Sequence, residues 1–232
     1  METATHSTSG TDAETRVAFS PIVDWIVGAI LGLVGLFTGG TGAVIYSEID
    51  RASAVEFVND ADIQTDGFTD AELVDALVAV GEWLGIGLVA AGVLIVVAGV
   101  ALVVFHRQAR AAGEPTQRWM LGLVGAVVSG VTGFLIVSPL LGGGVASYLD
   151  PVEHRSGFRT GALAGVFAVV PMLVVVLFGI VGAFAGLSGG LVTAIAGLLV
   201  GTAVVYLLYF VGLSAVGERE LGVGKERYTG DI

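Results

Sequence analysis

The densest group of potential ligands in this chain is acidic. Between Ser47 and Glu82 stand ten carboxylates (Glu48, Asp50, Glu56, Asp60, Asp62, Asp66, Asp70, Glu72, Asp75 and Glu82) and a single base, Arg51. Asp62, Gln64, Asp66 and Gly67 follow the spacing of the first half of an EF-hand calcium loop, where oxygen ligands alternate around the ion. The twelfth position would be Leu73, and without the bidentate Glu required there the half-match predicts no metal site. The segment reads instead as an acidic, solvated surface, with a cation vestibule or a partner-docking surface as lesser readings.

The other chemistry-bearing residues are sparse. Ion-coupled transporters and proton pumps place ionisable groups within the bilayer, yet the second to fifth apolar segments carry none in their interiors, and Asp24 sits at the edge of the first, where a helix start favours an anion. His6, His106 and His154 are far apart in sequence, and there is no Cys. A His-based metal cluster is therefore not expected, and thiol chemistry is excluded. No Ser lies in a Gly-x-Ser-x-Gly elbow, and no catalytic dyad is present within the apolar segments. Gly222-Val-Gly-Lys225 lacks the phosphate-loop spacing. The expectation is a protein that is not an enzyme, with no catalytic, cofactor-binding or metal-binding residues and no cofactor. Two helix breaks remain, Pro139 with Gly142-Gly143-Gly144, and Pro171. Broken helices line substrate paths in transporters because their freed backbone groups can bind, and they also occur as simple kinks.

The elements that would position these residues are apolar. Of 232 residues 55% are hydrophobic and 13% charged, about half the usual charged share, and the mean hydropathy is +0.90. The charges are segregated, leaving several runs longer than the roughly 18 residues that mark a membrane span. The fold class predicted is all-α: a polytopic transmembrane bundle with about five membrane segments. The first, from about Trp25 to Tyr46, is about 33 Å long as a helix, with aromatic residues at both interfaces. The second runs from Trp83 to Phe105. The third, from Trp119 to Leu149, is too long for one upright helix and short for two, and is predicted to break at Pro139, as a kink or as a full span followed by a half-helix that turns back. The fourth covers about Gly161 to Ala185 and the fifth about Leu191 to Leu213. Thr69-Asp-Ala-Glu72 has the form of a capping box opening a helix that leads into the second span, so 47–82 should form a small helical hairpin. Residues 1–20 read as a disordered tail, 21–106 as a transmembrane hairpin, 119–213 as a Gly-rich bundle and 214–232 as a polar tail.

The 36 glycines recur in small-xxx-small pairs: Gly28/Gly32, Gly35/Gly39, Gly161/Gly165 and Gly197/Gly201. In lipid, such faces let helices approach closely, within this chain, between copies or against another membrane protein. The segment Ser138-Pro-Leu-Leu-Gly-Gly-Gly-Val-Ala-Ser-Tyr-Leu149, followed by Gly161-Ala-Leu-Ala-Gly165 and Pro171, resembles a group of haloarchaeal membrane-protein domains that share a Ser-Pro-x-x-Gly-Gly-x-x-Ala-Gly-Tyr pattern. The resemblance covers about 119–215 and departs at Ser147, where the pattern has Gly. The first half resembles haloarchaeal two-span proteins more loosely. The composition, acidic and with Lys225 as its one Lys, is similar to that of halophilic archaeal proteins. The resemblance implies a membrane protein and no particular activity.

Net charge is −11, which excludes the basic footprint of nucleic-acid binding. The Arg-rich connector 106–118 should face the cytoplasm and the acidic loop the exterior. The side of the C-terminus depends on whether the third segment turns back. The expected role is a non-catalytic membrane subunit or scaffold in the cell membrane, with the bilayer, a second copy or a membrane-protein partner as its contacts. The alternative is a small pore or uncoupled permease with broken helices at Pro139 and Pro171.

Overall fold

A computed structural model describes residues 20–61, 69–114, 116–133, 135–150, 159–187 and 189–229, without the side chains of 191 and 220–229. The tail 1–19 and the EF-hand-like residues Asp62 to Gly67 lie outside the described residues. The described residues form seven helices: α1 (Pro21–Glu48), α2 (Arg51–Asp60), α3 (Asp70–Ala112), α4 (Arg118–Val131), α5 (Ser138–Tyr148), α6 (Arg159–Gly186) and α7 (Gly190–Thr229). Four of them, α1, α3, α6 and α7, are long and apolar enough to cross a membrane. The predicted all-α polytopic class therefore holds.

Local chemistry sets the helix ends. Ser20 caps α1, its hydroxyl accepting from the Ile22 N–H at 3.2 Å, with Pro21 in the first turn. The chain then turns extended at Ile49, and Asp50 caps α2 by accepting from Ser53 N–H at 2.7 Å, so α2 is a new helix and not a continuation of α1. The capping box at Thr69 and Glu72 forms as the sequence predicts. Ala54 and Val58 of α2 are buried against Val74 of α3, and Arg51 pairs with Asp75. This is the expected small hairpin. At the far end, α3 stops at Gly113, whose φ of 67° lies in the left-handed region.

Helix α1 runs antiparallel to α3 along a glycine seam. Gly28, Gly35 and Gly42 recur every seven residues and face Gly99, Gly92 and Gly85, also seven apart. A Cβ on Gly35 would lie 2.6 Å from the Gly92 carbonyl oxygen, and one on Gly92 would lie 2.5 Å from that of Gly35. The two backbones touch, which only glycine permits. Of the small-xxx-small pairs in α1, Gly35 and Gly39 both pack against Gly92, whereas Gly32 faces open space. Helix α6 continues the row, antiparallel to α3, with Gly182 against Trp83 and Val80 and Gly186 against Ala79. It is one continuous helix through Pro171, so the expected break there is absent. Helix α7 closes the row, antiparallel to α6, with Gly165 on Phe210 and Gly161 on Ser214.

The third apolar segment turns back. Helix α4 is 14 residues long, about 21 Å, and α5 returns beside it, with Gly125 against Gly142 and Ala146. The break falls at Thr132–Val137 rather than at Pro139, which sits in the first turn of α5, where proline is tolerated. Arg118 and Asp150, the two feet of this hairpin, meet at 3.8 Å, so both ends lie at the same end of the bundle. Non-helical backbone at membrane depth is tolerated only when its polar groups are satisfied. Leu135 N–H donates to the Thr132 carbonyl at 2.8 Å and Ser138 N–H to Leu135 at 3.0 Å. From α7, the Tyr209 hydroxyl donates to the Ile136 carbonyl and the Ser214 hydroxyl to the Pro139 carbonyl at 2.9 Å. The five apolar segments are thus four helices long and apolar enough to cross a membrane and one short helical hairpin. Helix α7 runs on to Thr229 without a break at Ser214, so the polar residues 214–229 continue the helix of the fifth apolar segment.

Candidate functional site

Following the chain, the start of α1, the end of α3, the feet of α4 and α5, the start of α6 and the region of Ser214 to Arg219 on α7 gather at one end of the bundle. Two groups of polar side chains are buried there. The first joins α1 to α3. Asp24 Oδ1 lies 2.5 Å from His106 Nδ1, and Asp24 Oδ2 lies 2.5 Å from Arg110 Nη2. The second ring nitrogen, His106 Nε2, is 3.0 Å from Thr116 Oγ1. Asp24, His106 and Thr116 are 3%, 1% and 7% exposed. His106 and Arg110 stand one turn apart on α3 and so present a single face to Asp24. The Arg110 contact is an ion pair out of hydrogen-bond alignment, since Asp24 Oδ2 and Arg110 Nη1 have no aligned partner.

The second group ties the hairpin to α6 and α7. Thr160 donates its hydroxyl to Asp150 Oδ2 at 3.0 Å. Gly161 N–H donates to Glu218 Oε2 at 2.8 Å, so a carboxylate from α7 satisfies the open first turn of α6. Ser147, the residue that departs from the glycine of the resemblance pattern, is buried and donates to the Glu218 carbonyl at 3.5 Å. Thr116 of the first group and Arg118 of the second are two residues apart, so the connector between α3 and α4 links both.

The sequence placed Asp24 at an edge and found no catalytic dyad within the apolar segments. The structure brings His106 between Asp24 and Thr116, an order of acid, imidazole and hydroxyl that nucleophilic enzymes also use. The signal that pointed to this meeting is weak: Asp24 and His106 flank opposite ends of two spans, and an antiparallel pairing of those spans puts them at one level. Glu218 was missed because it was assigned to the tail. Pro139 is packed inside the bundle with its carbonyl bonded to Ser214, and Pro171 lines an apolar cavity.

Charge is divided between the two ends. Among the described residues, Arg107, Arg110, Arg118, Arg159 and Arg219 lie at the end with the buried groups, and Arg51 lies at the other. Glu48, Asp50, Glu56, Asp60, Asp70, Glu72 and Asp75 gather at the Arg51 end.

Residues 119–219 match the model of a family described as a family of unknown function (DUF5518). The match spans α4 to the apolar part of α7, so it takes in the α4–α5 hairpin and the second polar group and leaves out α1 to α3. No curated protein and no solved structure matches the chain.

Proposed function

We propose that this chain is a non-catalytic subunit or scaffold of a membrane assembly. The observation that carries this reading is that the buried ionic groups are consumed by partners of their own chain. Asp24 is held by His106 and Arg110, Asp150 by Thr160 and Arg118, and Glu218 by the first turn of α6. A transport path needs ionisable or polar groups turned towards a passing solute, and these groups are turned towards each other. The depth of His106 and Thr116 suits an anchor better than a reaction centre, which needs a face open to substrate. Gly197 and Gly201 of α7 meet nothing within 4 Å, and that open stripe is where a second copy or a partner helix would approach most closely.

The pore reading keeps one supporting observation, the re-entrant hairpin itself. Its tip is apolar, with Ile136 83% exposed, which favours contact with hydrocarbon over water. The cell membrane is the proposed location. The Arg-rich end faces the cytoplasm under the positive-inside rule and the acidic hairpin of α2 and α3 faces outward. With the third segment re-entrant, the C-terminus joins the cytoplasmic end. The acidic balance supports a halophilic source. The test is a tagged pull-down from native membranes in a mild, high-salt detergent buffer. A stoichiometric membrane partner supports the reading. Recovery of the chain alone, together with solute flux in proteoliposomes, overturns it in favour of a pore.

A further inference from the structure

A cavity of about 300 Å³ lies between α1, α3, α4 and α6. Leu123 and Val127 on its inner wall are buried, whereas Val34, Leu94 and Val131 on its rim are 48%, 41% and 58% exposed. The rim residues belong to membrane-embedded helices, so the cavity opens sideways to hydrocarbon rather than to water. The volume is twice that of the ~150 Å³ apolar cavities that stay dry and take up benzene.

Beside the wall, α6 is missing one regular helical hydrogen bond. Pro171 lines the cavity and has no N–H, so the carbonyl of Phe167, four residues earlier and also in the lining, lacks its regular helical donor. A carbonyl left unpaired in hydrocarbon is costly. Pro171 is twelve residues beyond Arg159, about 18 Å along α6, which is too deep for a phospholipid headgroup. A plain hydrocarbon chain would fill the volume and leave the acceptor unpaired. Water would satisfy the acceptor and face apolar walls.

We propose that this cavity is a binding site for a membrane-soluble alcohol, an apolar body carrying one O–H that donates to the Phe167 carbonyl. The site goes beyond the scaffold reading and does not depend on it. The test uses the full chain in its native membranes with two photoactivatable probes of equal length, a long-chain alcohol and the matching hydrocarbon. The alcohol labels residues 123–131 and 167–171 roughly two- to tenfold more than the hydrocarbon, the range expected for one net hydrogen bond. Pro171→Ala restores the missing N–H, keeps the helix and abolishes the preference. Ala98→Phe fills the cavity and removes labelling by both. Equal labelling of the native chain by the two probes overturns the proposal, as does labelling confined to other segments or a preference that survives Pro171→Ala.

Discussion

A single methyl group on the glycine seam should destabilise the bundle, while the same methyl on Gly32 of α1, which lies off the seam, should not. In Gly92→Ala the new Cβ would stand 2.5 Å from both the Gly35 carbonyl oxygen and the Gly39 amide nitrogen. Both neighbours are backbone, so no side chain can swing aside. To restore the 3.4 Å at which ordinary contact begins, α1 and α3 must part locally by about 0.9 Å. Rigid overpacking of this kind costs about 1–3 kcal/mol, and parting the helices also weakens the paired contacts at Gly28/Gly99 and Gly42/Gly85. Gly32→Ala introduces the same methyl where nothing lies within 4 Å. It gains helix propensity, up to about 1 kcal/mol, so the two variants should shift stability in opposite directions. Unfolding of the purified chain in mixed micelles, followed by circular dichroism, measures the difference. Equal stabilities for Gly92→Ala and Gly32→Ala would refute the close approach of α1 and α3.

Three further outcomes are expected. Asp24→Leu leaves His106 and Arg110 facing a buried apolar residue and should cost about 3–5 kcal/mol, whereas adding His106→Leu and Arg110→Met should recover most of it; denaturation in detergent reads both. Because the chain has no Cys, single cysteines report topology: Ala112→Cys and Arg219→Cys should react with an impermeant maleimide from one side, and Ala61→Cys and Leu187→Cys from the other. Five full crossings would pair Leu187 with Ala112 instead. At the acidic end, the Ser53 N–H holds the Asp50 carboxyl below its ordinary value of 3.8. Its cap therefore contributes fully above that value and is lost as the pH falls below it, so the protection of the Ser53 amide, its exchange relative to the intrinsic rate, should fall on acidification through that range, and Asp50→Ala should remove that change in protection.

Much of the architecture was legible in the chain because in a bilayer each spanning helix satisfies its own backbone, and length and hydropathy then report it directly. The Thr69 capping box, the acidic hairpin and the spanning runs needed no partner to be read. The third segment could be recognised as too long for one crossing, but its turn falls at Thr132–Val137. That turn depends on donors from Tyr209 and Ser214 of α7, more than 70 residues away in sequence. Pro171 reads locally as a break, yet α6 stays continuous because tertiary contacts hold it on both sides of the proline. The candidate site was the least legible part. Asp24, His106 and Thr116 are individually ordinary, and Glu218 lies on residues that read as tail.

Residue order alone was enough to read an all-helical membrane protein, the places of most of its helices, and the segregation of its acids and arginines along the chain. These properties are local sums of transfer free energy and capping chemistry. Three features follow only from the folded chain: which glycines touch, that the third segment returns to the end of the bundle it came from, and that an acid, an imidazole and a guanidinium share one buried site. Each of those outcomes is a pairing between distant segments, fixed by how closely two backbones can approach and by the cost of leaving a polar group unpaired away from water.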